Sequence, residues 1–101
     1  MRIDWSEYAR EDLDDLIRYI SQNSAMNARE FAKRIILATR RLYDFPESGR
    51  AVPEANDKTI REIIVQGYRV MYQTQPDYVL VLAIIHGSRN IEMMPIKPWQ
   101  I

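Results

Sequence analysis

The chain has 101 residues, 47% of them hydrophobic and 28% charged, with a formal net charge of zero and no cysteine. That length suits one domain, and the composition is that of a folding chain rather than a disordered one. The numbers exclude disulfides and thiolate metal sites, and they argue against a nonspecific nucleic-acid binder. No apolar run approaches the roughly 20 residues that span a bilayer. Met1–Trp5 leads into a polar helical pattern, so no signal peptide and a cytoplasmic location are expected. Of the 14 basic and 14 acidic residues, three basic and six acidic ones lie in 1–24, leaving eleven and eight beyond. An acidic first helix is expected, which need be no more than a solvated surface.

Met1, Ile3 and Trp5 alternate with Arg2 and Asp4, which predicts a short strand. Ser6 is a good N-cap, and Glu7 complements the helix dipole. Ala9, Leu13, Leu16, Ile17 and Ile20 then form one apolar stripe, predicting a helix from about Glu7 to Gln22. Asn23-Ser24 interrupts it. A second helix starts near Met26 or Asn27, with the stripe Ala28, Phe31, Ala32, Ile35, Ile36, Thr39 and Leu42. Its other face carries Arg29, Lys33, Arg34, Arg40 and Arg41, most simply a solvated surface. Asp44-Phe45-Pro46 ends it, because the residue before a proline avoids the helical region. The short connection makes the helices an antiparallel hairpin.

Pro46–Lys58 reads as an irregular link. Strands at Thr59–Val65, Tyr68–Thr74 and Tyr78–Ile85 follow, separated by turns at Gln66-Gly67 and Gln75-Pro76-Asp77, as in an antiparallel meander. Val79–Ile85 is apolar at every position, as in a central strand covered on both faces. Helices cover one face. The tail (Ile91, Met93, Met94, Ile96, Trp99) or another chain must cover part of the other. The expected fold is a single α+β domain over 1–101, an N-terminal strand and helical hairpin on a small, mainly antiparallel sheet.

Arg61, Arg69, His86 and Arg89 fall on neighbouring strands or strand ends. Together they suggest a site for a phosphate, an RNA backbone or an acidic peptide. The plainer alternative pairs Arg69 with Glu62 or another acid. His86, the only histidine, could transfer protons or simply hold a strand end by hydrogen bonds. Arg50 and Arg89 each sit in a glycine-containing turn, as solvated charges or as contacts. Tyr68, Tyr72 and Tyr78 could stack on bases or fill the sheet's packing. No second histidine or cysteine is present, so no metal and no cofactor are expected.

The ordered set Trp5-Ser6, Ala9…Leu13…Ile17…Tyr19-Ile20, Leu42…Phe45-Pro46…Gly49-Arg50, Glu54, Ile60-Arg61-Glu62, Tyr68-Arg69-Val70-Met71-Tyr72 and His86-Gly87…Arg89 resembles the RelE/ParE superfamily of type II toxins over roughly residues 1–92. The resemblance implies a cytoplasmic toxin neutralised by a cognate antitoxin that orders as it wraps the toxin, in a hetero-oligomer. RelE-like members cleave mRNA on the ribosome. For that chemistry Arg69 would meet the phosphate, His86 or Glu54 would serve as base or acid, and Arg61 or Arg89 would add stabilisation. Two departures weaken this reading: Lys58 is the only lysine of 51–58, and no tyrosine follows the last strand.

ParE-like members act on DNA gyrase instead. The runs Phe45-Pro46…Gly49-Arg50…Glu54…Ile60-Arg61-Glu62-Ile63, Tyr68-Arg69-Val70 and His86-Gly87…Arg89 resemble that branch more closely. On this reading no catalytic residue is required. Arg50, Arg61, Arg69, Arg89 and Trp99 are then candidates for partner contacts. A non-toxic interaction module is a further alternative.

Overall fold

The computed structural model describes residues 1–100. It contains strand β1 (Arg2–Trp5), helices α1 (Glu7–Ser21) and α2 (Ala25–Arg40), and strands β2 (Arg50–Ala51), β3 (Ile60–Val65), β4 (Tyr68–Thr74) and β5 (Tyr78–His86). Short 3₁₀ turns follow α2 and occupy the tail at Ile91–Met93 and Pro98–Gln100. The strands form one five-stranded sheet in the order β1-β5-β4-β3-β2. This is the expected α+β arrangement of a helical hairpin on a sheet.

Local chemistry sets the helix starts. The Ser6 hydroxyl accepts from Ala9 N at 3.0 Å, and the Ser24 hydroxyl accepts from Asn27 N at 3.1 Å. Each satisfies one of the amides that a first helical turn leaves unpaired. The helix α2 stops at Arg40, and Leu42 is buried from the following 3₁₀ turn rather than from the helix itself. The β3–β4 turn has positive φ at Gln66 (50°) and Gly67 (85°). Such a turn matches the twist of paired antiparallel strands.

Three features lie beyond the expected meander. First, β1 pairs with β5 in parallel, Arg2 opposite Tyr78 and Trp5 opposite Val81. Second, the link is not wholly irregular, since Arg50 pairs with Glu62 and Ala51 with Arg61. Third, Met71 faces Ala83 while Tyr72 faces Val81, so Leu82 is an extra residue that bulges β5. The parallel pair and the two-residue edge strand depend on distant partners and leave no periodic signal.

Each face of the sheet is covered by a different part of the chain. Against α1 and α2 lie Val70, Val81 and Ile84, packed with Ala9, Phe31 and Ile35, and next to them Leu42, Tyr72 and Val79. On the opposite face Ile60, Met71, Ala83 and Ile85 are covered by Val52 from the link and by Ile91, Met94 and Trp99 from the tail. The tail therefore supplies the cover that the apolar β5 requires. Met93 and Ile96 stay exposed.

Candidate functional site

The residue that most constrains function is Arg69 on β4. Its side chain lies on the tail-covered face, is 7% exposed, and has all three guanidinium nitrogens engaged. Nε donates to Glu62 Oε1 at 2.6 Å. The two terminal nitrogens donate to Glu54 Oε2 and Oε1 at 2.9 and 2.7 Å, a bidentate fork. Glu62 is fully buried and accepts a second guanidinium, from Arg50 Nε at 2.7 Å. Two cations and two carboxylates thus alternate along one chain of contacts, with no net charge. The sequence places Glu62 for this role: it shares the face of Ile60 and lies diagonally across from Arg69, which stands opposite Ile64. The alternative that paired Arg69 with acids describes what is found.

The hydrogen bonds from Arg69 hold the Glu54 carboxyl well below the ordinary carboxylate range, at about 2. Its two carboxylates push the Arg69 guanidinium upward in turn. A phosphate could reach Arg69 only by displacing Glu54 from its fork.

Arg61, His86, Arg89 and Trp99 do not join Arg69. Arg61 stands opposite Tyr72 on β4, on the helix-covered face. Its guanidinium donates to the carbonyl oxygens of Gly49 and Glu47 at 2.8 and 3.3 Å, anchoring the start of the link. The same segment is held by Gly49 N, which donates to the Tyr72 hydroxyl at 2.9 Å. A Cβ on Gly49 would lie 2.6 Å from both Glu62 O and that hydroxyl, so the approach requires glycine. Burial raises the Tyr72 phenol above its ordinary value.

His86 ends β5 opposite Tyr68, with the two rings edge to face at 5.1 Å. Its Nδ1 accepts from Ser88 N at 3.1 Å and lies 2.6 Å from the Ser88 hydroxyl. The amide can only donate, so the neutral ring carries its proton on Nε2. Tyr68 also meets Phe31 edge to face at 5.3 Å, so it fills the packing under α2. Arg89 lies past the end of β5, where its charge acts on Asp12 of α1. Trp99 is half-buried against the tail-side core.

The expected gathering of Arg61, Arg69, His86 and Arg89 on one face is therefore corrected. Arg61 and Arg69 are on adjacent strands but in opposite pleats, so their side chains point to opposite faces. His86 is one rung from Arg69 in the ladder, but it stands opposite Tyr68 and turns to the helix-covered face, and Arg89 lies past the end of β5. Of the residues considered for mRNA cleavage, Glu54 is clamped on Arg69, while His86, Arg61 and Arg89, the alternatives for proton transfer and stabilisation, do not join that pair.

Sequence reasoning missed Asp12. Its Oδ2 accepts from Ile84 N at 2.9 Å, and the Ser6 hydroxyl donates to Leu82 O at 3.0 Å. Both side chains cover the part of β5 that extends past its pairing with β1. Burial pushes the Asp12 carboxyl above its ordinary value, against the opposing effects of the Ile84 bond and Arg89. The only sequence signal was an acid on the α1 flank beside the apolar stripe.

The chain can now be placed among known proteins. Residues 3–91 match the family described as "ParE toxin of type II toxin-antitoxin system, parDE". A solved structure described as "Chromosomal ParDE TA system from P. aeruginosa" is similar in fold, with a TM-score of 0.70 and 17% identity over 85% of this chain and 95% of that one. A comparison with curated protein sequences finds no match. No helix among the described residues is long and apolar enough to cross a membrane. With the family match spanning nearly the whole sheet and both helices, the chain belongs to the ParE toxin family of type II toxin–antitoxin systems.

Proposed function

We propose that this chain is a cytoplasmic toxin that arrests growth by binding DNA gyrase and is neutralised by a cognate antitoxin. The observation that carries the reading is the saturation of Arg69 by Glu54 and Glu62. Cleaving RNA would need a free cation at the phosphate and an acid and a base within reach of the same bond. Here the cation is neutralised and the proton-transfer candidates are apart, so a binding mechanism fits the side chains better than a nuclease.

In this reading Arg61 and Arg69 hold the scaffold, while the exposed Arg89, and Arg50 beyond its Nε bond to Glu62, meet a partner. Trp99 contributes through the ordering of the tail. The antitoxin is proposed to use the apolar groove of about 220 Å³ between α1 and the tail, where Tyr8, Leu82, Ile84, Met94 and Ile96 form the walls. An unfolded segment that orders on binding can cover such a surface at the cost of its own entropy.

The test is DNA supercoiling by purified gyrase with increasing amounts of this protein, with and without the antitoxin encoded beside it. Dose-dependent loss of supercoiling or trapped cleaved DNA, reversed by the antitoxin, is the expected result. Unaffected gyrase together with cleavage of ribosome-bound mRNA would overturn the reading. In that event Arg69 and His86 are the first residues to substitute.

A further inference from the structure

The bases of this fold are unevenly tied. Arg2, Arg18, Arg50 and Arg69 each pair with a carboxylate, and Arg61 and Lys97 donate to carbonyl oxygens. Arg10, Lys58 and Arg89 are single charges in separate places. The remaining bases stand together: Arg29, Lys33, Arg34 and Arg40 on α2, and Arg41 in the 3₁₀ turn that continues it. All of these are exposed, and among the described residues none of them forms an ion pair.

Helical geometry turns them into a track. Arg29, Lys33 and Arg40 follow one another at steps of four and seven residues, so they share one row. Arg34 and Arg41, seven apart, form a second row beside it. From Arg29 to Arg41 the backbone rises about 18 Å, the axial length of roughly five base pairs of a duplex. Within that stretch the only acid is Glu30, and the only large apolar side chain exposed is Leu37. The zero net charge of the chain hides the track. Glu7, Glu11, Asp14 and Asp15 offset it from the exposed face of α1, and none of them pairs with a cation of α2.

We propose that the exposed face of α2 binds the phosphate backbone of duplex DNA without reading its sequence. The guanidiniums and the Lys33 ammonium donate to phosphate oxygens, and the release of counterions drives association. The choice of DNA rests on the proposed target being an enzyme that acts on DNA; the cation track does not. Other occupants fit less well. The centre of a protein interface is depleted of charge and anchored by apolar and aromatic side chains, and this face offers Leu37 alone. The α1 face of a second copy interrupts its acids with Arg10 and Arg18, whereas a duplex presents an unbroken row of anions. A single strand would need aromatic rings to stack on, and the one aromatic among these cations, Phe31, is buried.

The experiment titrates the full chain into a fluorescently labelled duplex of about 20 base pairs, read by anisotropy. Binding at about 50 mM salt should weaken roughly 40- to 500-fold at about 200 mM, as for three to five phosphate contacts, and should be alike for two unrelated sequences. Lys33→Glu with Arg40→Glu should weaken it by about ten-fold or more. Arg10→Glu with Lys58→Glu changes the net charge equally and should weaken it by less than about two-fold. Should the first pair fail to fold, Lys33→Gln with Arg40→Gln takes its place and should weaken binding about five-fold. No binding at low salt, equal weakening by both pairs, tighter binding to single-stranded DNA or to duplex RNA, or displacement by polyglutamate at equal charge overturns the proposal. Self-association at low salt that Lys33→Glu with Arg40→Glu removes also overturns it and assigns the track to a second copy. The assay contains no gyrase, so its failure leaves the supercoiling result standing, and DNA binding beside unaffected gyrase overturns the target alone.

Discussion

On the face beneath α1 and α2, Val70, Val81 and Ile84 meet Ala9, Phe31 and Ile35, and the side chains in that cluster are apolar. On the opposite face Met71, Ala83 and Ile85 meet Val52 and Ile91, but a buried arginine and glutamate lie alongside them. The helix face coheres by area removed from water, which tolerates sliding and conservative exchange. The link-and-tail face adds a chain of ion pairs that works only when every member is present. Burying a charge costs several kcal/mol unless it is paired and hydrogen-bonded. Here that requirement ties three separate segments together: Glu54 in the link, Glu62 on β3 and Arg69 on β4. The same ties that fix the link over the sheet neutralise the arginine best placed for catalysis.

The sharpest way to break this comparison is Arg69→Ala. It strands Glu62 in the core with only Arg50 and should cost about 3–5 kcal/mol. Urea denaturation measures the loss. Because Arg69→Ala damages the scaffold, a loss of toxicity in that variant says nothing of catalysis unless the protein is still folded. If the variant is as stable as the parent, the ion-pair chain does not hold this face.

A matching cut on the helix face is Ile35→Ala, which should cost about 2–5 kcal/mol by the cavity it leaves. Its loss should not change between low and high salt. A replacement of the Arg69, Glu62 and Glu54 set by apolar residues of similar volume should recover much of the Arg69→Ala deficit, because the desolvation cost disappears with the charges.

Acid separates the regions by sign. The folded Glu54 carboxyl titrates at about 2, below its ordinary value of 4.5, so it binds its proton less readily in the folded state. Its contribution is complete above the ordinary value and is lost as pH falls from about 4.5 toward about 2. Glu54→Gln should remove that part of the acid sensitivity, read as a flatter dependence of unfolding temperature on pH. Asp12, at the α1 edge of β5, shifts the other way. Its burial penalises the charged form at neutral pH, and falling pH relieves the penalty. Asp12→Asn, which keeps an acceptor for Ile84 N, should therefore be neutral or slightly stabilising near pH 7, with the advantage shrinking in acid.

The smallest effect expected is that of Tyr72→Phe. It removes the hydroxyl that accepts from Gly49 N and should cost about 1 kcal/mol. Hydrogen exchange at Gly49 checks the local loosening.

What the sequence determined by itself was everything set by neighbours a few positions apart. The stripe of Ala9, Leu13, Leu16 and Ile20 and the serines before each helix placed α1 and the start of α2 to within two residues, while α2 ends at Arg40, short of the expected stop at Asp44-Phe45-Pro46. Alternating or wholly apolar runs, together with Gln66-Gly67, placed β3, β4 and β5 to within one. The ordered motifs pointed to the toxin family. Tertiary structure alone decided the rest. Pairing β1 with β5 in parallel joins residues about 75 positions apart, and no local preference encodes such a closure. The two-residue β2 is too short to have a period. Most consequentially, Arg61 and Arg69 look like one basic cluster along the chain, yet the pleat sends them to opposite faces. Only the fold could bring Glu54, fifteen residues before Arg69, back over the sheet to close its fork. The charge of a side chain is written in the sequence, but whether that charge is free to act depends on partners that arrive through space.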